Sequence, residues 1–212
     1  MLSLMKAALL ALPILLAACA PDVAGPPAVV PADSAWRAIA GEADRERLRG
    51  WRTAFLRALT QARTAGHSAE IAREGALLDP DAALGEVTPP AGLYRCRTVK
   101  LGAKTEGMLN YIAYPAFRCR ISASGEGNVL DFTKETGSQR PVGRLFPENG
   151  RRMVFLGTLQ LGDEQAVLRY GHDVERGQAA FLERVGDRRW RLIFPYPRFE
   201  STLDVIELLP AE

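Results

Sequence analysis

The 212-residue sequence predicts an α+β protein in a single domain, with a helical segment over residues 33–85 and an antiparallel β-domain over 86–212. Three observations carry that expectation. Between residues 43 and 65, Leu48, Trp51, Phe55, Leu59 and Ala62 recur at three- and four-residue steps, the period of one apolar helix face. After Pro90 the texture changes to short segments separated by turn residues, with no helical period between them. Near the end of the chain, Gly186-Asp187 divides two apolar-rich runs, 181–185 and 190–194, as a hairpin turn does.

The elements follow in order. Asp33 or Ser34 can cap a short first turn that contains Trp36 and Ile39. The long helix spans 43–65, with Arg45, Arg49, Arg52 and Arg63 mostly off its apolar stripe. Such a helix either packs on the domain with a solvated arginine face or lies on a membrane surface. Gly66 ends it, and Ser68 can start a second, short helix that stops at Gly75. Asp79-Pro80 and Pro89-Pro90 mark irregular chain. Strands are then expected at 92–99, 117–123, 128–133, 143–146, 153–161, 167–170, 179–185, 189–194 and 203–208. Eight or nine strands without intervening helices suit a small lipocalin-like barrel, or a strongly curved half-open sheet wrapped on the long helix.

The start of the chain carries an address. Lys6 precedes an uncharged run, Ala7 to Ala18, too short for a permanent membrane span but suited to the core of a secretory signal. Its end, Leu16-Ala17-Ala18-Cys19, resembles the lipobox of bacterial lipoproteins. That resemblance implies a signal peptide over 1–18, cut before Cys19, and lipidation of Cys19 itself. Several acyl chains on one residue give stable anchoring. Ala20, where an Asp would imply inner-membrane retention, implies the inner leaflet of the outer membrane, facing the periplasm. Residues 19–32 then read as a tether: the stretch APDVAGPPAVVPA has four prolines and one charge. At ~3.1 Å per residue it reaches about 40 Å.

With Cys19 assigned to lipid, Cys96 and Cys119 remain. In an oxidising periplasm a disulfide is their default, linking two neighbouring strands and contributing about 3 kcal/mol. No CxxC occurs, and His67 and His172 are far from both cysteines in sequence, so no metal site is expected. Charge is nearly balanced, 27 Lys and Arg against 25 Asp and Glu, which gives no electrostatic case for nucleic acid.

The body from about Trp36 to Pro210 resembles a family of Gram-negative envelope proteins defined only as a domain of unknown function. The stretches that carry the resemblance are Ala43-Asp44-Arg45, Ile71-Ala72-Arg73-Glu74-Gly75, Tyr94-Arg95-Cys96-Arg97, Gly137-Ser138-Gln139-Arg140-Pro141 and Phe199-Glu200-Ser201-Thr202-Leu203-Asp204. It implies one domain and transfers no reaction, cofactor or catalytic residue.

Two features could bind a ligand. Arg95 and Arg97 share one strand face, as do Arg118 and Arg120, opposite the cysteines; together they would suit an anion, or simply form a solvated face paired with Asp and Glu. The polar run 133–141, with Lys134, Ser138, Gln139 and Arg140, lies between two strands and is either a binding loop or a turn that satisfies its own backbone. The aromatic stretches from Tyr111 to Phe117 and from Phe194 to Phe199 could line a pocket mouth or seal a barrel end. For catalysis the sequence offers little. Ser138 lacks a GxSxG setting, His172-Asp173 is explained by a turn, and Asp131, Asp163, Glu164 and Glu200 are scattered. The expectation is therefore a cofactor-free, non-catalytic envelope module that binds a small anionic ligand or an envelope protein. Inhibition of an envelope hydrolase and an unrecognised hydrolase are the alternatives.

Overall fold

Eight antiparallel strands, each hydrogen-bonded to the next in sequence, close on themselves as a barrel when β8 pairs with β1. The computed structural model describes residues 35–211; the leader, Cys19, the tether and the Asp33 and Ser34 caps lie outside the described residues. The strands are β1 (Gly92–Ala103), β2 (Tyr111–Ala123), β3 (Leu130–Lys134), β4 (Gln139–Asn149), β5 (Arg152–Leu161), β6 (Gly177–Gly186), β7 (Arg189–Pro195) and β8 (Ser201–Pro210).

Side chains alternate across each strand, so every strand sorts its residues between the lumen and the exterior. Tyr94, Cys96, Cys119, Ile121, Phe132, Leu145, Met153, Phe155, Leu182, Trp190, Leu192, Ile206 and Leu208 form the interior core. This core fills one end. That end is covered by the chain just before β1: Val87 packs into it, Trp190 donates its indole N–H to the Val87 carbonyl at 2.8 Å, and the Tyr94 hydroxyl donates to Pro90 at 2.6 Å. The other end is ringed by the β1–β2, β3–β4, β5–β6 and β7–β8 loops and stays partly open.

Cys96 and Cys119 are bonded across β1 and β2, with Cα atoms 5.9 Å apart. Both face inward, so Arg95, Arg97, Arg118 and Arg120 face out, as strand alternation requires. Gly143 and Gly157 oppose each other on β4 and β5, where the backbones approach closely. A Cβ on Gly143 would stand 2.3 Å from the Leu156 carbonyl oxygen, so only glycine fits this part of the wall.

The helices clothe one side of the barrel. Helix α3 (Trp51–Thr64) lays Ala54, Phe55, Ala58, Leu59 and Ala62 against Val99, Leu101, Ile193, Leu203 and Val205 on the outer faces of β1, β7 and β8. Helices α1 (Ala35–Ile39) and α2 (Glu42–Arg49) place Trp36, Ala40 and Leu48 over Val154, Leu156, Ala179 and Phe181. Helix α4 (Ser68–Glu74) runs into a 3₁₀ turn at Gly75–Leu78. Beneath that turn the guanidinium of Arg191, fully buried, pairs with Glu183 at 2.6 Å and donates to the carbonyls of Ala76, Leu77 and Asp79. The outer faces of β2, β3 and β4 carry Arg118, Arg120, Asp131 and Arg144, unlike the apolar band of a lipid-facing barrel. Among the described residues no helix is long and apolar enough to cross a membrane.

Three expectations need correction. The helix over 43–65 is two helices, broken at Gly50. Glycine is a poor helix former, and the break lets α2 follow β6 while α3 follows β1, β7 and β8. Residues 167–170 form no strand. They belong to the β5–β6 loop, where Tyr170 is drawn to the helices: its hydroxyl donates to Asp44 and accepts from the Gly41 N–H at 3.1 Å. Strand β4 starts at Gln139 and runs past two prolines. Pro147 sits beside a register shift between Pro147 and Asn149, where the ladder tolerates a missing donor.

Candidate functional site

A cavity of about 200 Å³ occupies the open end of the barrel. Its walls come from all eight strands: Thr98 and Lys100 on β1, Phe117 on β2, Lys134 on β3, Gln139 on β4, Leu159 on β5, Gln178 on β6, Phe194 on β7 and Asp204 on β8 among them. Tyr114, Phe194, Pro197 and Phe199 add aromatic and apolar surface at the mouth.

Two lysines meet at Gln139. Lys134 donates to its backbone oxygen at 2.8 Å, and Lys100 donates to its side-chain oxygen at 3.0 Å. Their charges are handled differently. Lys100 is paired: its Nζ lies 2.6 Å from Glu200 and 3.9 Å from Asp204. Burial works against its charge, but the two carboxylates outweigh burial and the ammonium titrates above its ordinary value. Asp204 also accepts from the Ser201 hydroxyl, and burial raises its carboxyl above the usual range despite Lys100.

Lys134 is 4% exposed, and no ion pair to it is found among the described residues. The face of Phe117 lies 3.9 Å from its Nζ, a cation–π contact. Burial, then the positive charges of Lys100 and Arg140, bring its pKa down from 10.5 to about 8. Gly137, at a left-handed φ of 93°, keeps the space beside it clear, because a Cβ there would stand 2.9 Å from the Nζ. In the β7–β8 loop Tyr196 and Glu200 hold left-handed φ values of 47° and 62°, and Glu200 lines the cavity. Strained non-glycine backbone of this kind costs about 1–3 kcal/mol per residue and concentrates at functional sites.

The expected binding residues divide. Lys134, Ser138 and Gln139 line the cavity, as do Phe117, Phe194 and Phe199 from the two aromatic stretches. Arg95, Arg97, Arg118, Arg120 and Arg140 do not. Arg97 is clamped outside by Glu74 at 2.5 Å and Glu207 at 3.0 Å, while Arg118 and Arg120 share Glu135. Arg95 is exposed on the outer face, opposite Arg118 in the strand register. Arg140 braces the rim: its guanidinium donates to the carbonyls of Gly137 at 3.0 Å, Gly162, and Glu164 at 3.2 Å. The four outward arginines therefore sit on the barrel's exterior, three of them in ion pairs, rather than in one anion cluster. His172 is exposed in the β5–β6 loop and is not among the residues that line the cavity.

Lys100 and Asp204 escaped the sequence reading. Strand alternation held the signal: Cys96, Thr98 and Lys100 share one face, as do Asp204, Ile206 and Leu208. A lysine and an aspartate in phase with core residues mark a polar chamber inside a barrel. Among the described residues no group of three or more His, Cys, Asp or Glu is placed to hold a metal ion.

One family, described as Domain of unknown function (DUF4893), matches the chain over residues 36–208, which spans the helices and the whole barrel up to the last strand. No curated protein and no solved structure matches it.

Proposed function

The chain belongs to the DUF4893 family, and we propose that its barrel is a non-catalytic binding module that takes a small carboxylate at Lys134. One observation carries the reading: a buried ammonium faces a cavity without an ion-pair partner. Displacing its pKa from 10.5 to about 8 costs about 3 kcal/mol of stability at neutral pH, at 1.36 kcal/mol per unit. Folding gains nothing from that charge, whereas an entering anion is offered a preplaced cation and a cation–π platform.

The chamber also limits the ligand. At about 200 Å³ it is smaller than the ~300–1,000 Å³ of a typical drug-sized pocket. Glu200 and Asp204 line the same space, so a monoanion suits it better than a polyphosphate. The reading extends to location. The leader and Cys19 support a lipid-anchored protein on the periplasmic side of the outer membrane, with the tether holding the barrel off the surface.

Calorimetric titration with butyrate, beside neutral butyramide, tests the site. Butyrate should bind at pH 7 and weaken as pH rises above 8, where Lys134 loses its proton while Lys100 stays paired with Glu200 and Asp204. Lys134→Met should abolish the heat. Equal binding of butyramide, or unchanged butyrate binding by the variant, would overturn the proposal.

A further inference from the structure

Resting on that reading of Lys134, we infer that the ligand is an amphiphile bound head first: a single-chain carboxylate whose head enters the chamber and whose alkyl chain lies outside it, across the rim. A second depression of about 430 Å³ opens off the chamber and shares Gln139, Phe199 and Glu200 with it. Its remaining surface comes chiefly from Met108 and Leu161, with Lys104 and Arg198 at the edges. Those two cations are already engaged at their tips. Lys104 donates to the Pro197 carbonyl and Arg198 pairs with Glu175 at 3.3 Å.

The rim carries exposed apolar residues among its charged ones. Nine large hydrophobic residues are exposed among the described residues, and five of them, Met108, Leu109, Val167, Val174 and Phe199, lie on three of the four loops around the open end. Met108 is 43% and Phe199 42% exposed, so neither is held in the core. Isolated exposed apolar residues are ordinary, but Met108 and Phe199 line the groove together with Leu161.

Orientation follows from what each compartment would lose. An alkyl chain in the chamber would strip water from Lys100, Gln178, Glu200 and Asp204 and return no hydrogen bond, which is costly. In the groove the same chain covers Met108, Leu161 and Phe199. The carboxylate meets Lys134 only if it leads. The buried Lys134 within the chamber and the Met108, Leu161 and Phe199 surface outside it therefore set the polarity of the ligand.

A chain-length series separates this inference from the one beneath it. The mature full-length protein is titrated with butyrate, hexanoate and octanoate at pH 7. Affinity should rise about two- to fourfold per added methylene, the range for partial to full burial of a CH₂. Met108→Ser with Leu161→Ser, both outside the chamber lining, should flatten the series and leave butyrate unchanged; Lys134→Met should abolish binding of all three. Equal affinities for butyrate and octanoate, both dependent on Lys134, would leave the anion site standing and refute the groove. Octanoate binding that survives Lys134→Met but is lost in Arg198→Ala would reverse the orientation and refute the inference. Absence of binding by every member would refute both readings.

Discussion

Lys134 and Arg140 stand six residues apart and show how differently one barrel rim treats two cations. Arg140 is surrounded by carbonyls and fixes the loops it touches. Lys134 has one carbonyl, one aromatic face and a cavity. Because its folded pKa, about 8, is below its unfolded value of 10.5, folding favours the neutral amine. The charge therefore costs stability in full below pH 8, and the cost disappears as pH rises to about 10.5. Lys134→Met should raise the unfolding free energy by about 3 kcal/mol at pH 7, and this advantage should shrink toward zero by about pH 10.5. Urea denaturation of both proteins at pH 7, 8.5 and 10 measures the difference; a destabilised variant at pH 7 would show that Lys134 is an ordinary structural lysine. The run 133–141 was legible as a candidate because its polar residues sit between strands. Which of them face inward was not, because the phase of β4 is set by pairing with β5, and only that register turns Gln139 to the chamber and Arg140 to the rim.

At the scale of elements, local pattern and tertiary packing divide the account. The apolar stripe at 48, 51, 55, 59 and 62 marks helix, and the turn at Gly186-Asp187 marks the β6–β7 hairpin; both depend on near neighbours in sequence. The break at Gly50 depends on the barrel, whose curvature a straight helix could not follow on both faces. Residues 167–170, Val-Leu-Arg-Tyr, have the composition of a short strand but no open strand edge to pair with in a closed barrel. The disulfide is an element-scale device as well. It joins β1 and β2 across 23 residues and contributes about 3 kcal/mol by the loop-entropy account. Replacing Cys96 and Cys119 together with alanine should lower the melting temperature by roughly 6–12 °C, at about 2–4 °C per kcal/mol for a chain of this size. A drop below 2 °C in a thermal melt would mean that the barrel's hydrogen bonds already hold these strands as firmly as the crosslink does.

For the whole molecule, the asymmetry between barrel ends is the organising feature. One end is closed by Val87, Tyr94 and Trp190 over an apolar core, and the other keeps a chamber lined by Lys100, Lys134, Glu200 and Asp204. Strand count and patterning made a barrel or curved sheet legible; a half-filled lumen was not, because it depends on how side chains from all eight strands share the interior. The proposed anchor at Cys19 has its own test. Cys19→Ser should release the protein from the membrane fraction or leave it unprocessed; an unlipidated variant that still sediments with the outer membrane would contradict the anchor.

The central claim, that the barrel keeps Lys134 for an anion, is tested most directly by following that ammonium itself. The chain has four lysines, Lys6, Lys100, Lys104 and Lys134, few enough to resolve by NMR of lysine-labelled protein. One resonance, lost in Lys134→Met, should titrate near pH 8 in the free protein and move up toward 10.5 with saturating butyrate, as linkage requires of an anion that binds the charged form. A Lys134 that titrates near 10.5 without ligand, or stays near 8 with it, would contradict the account.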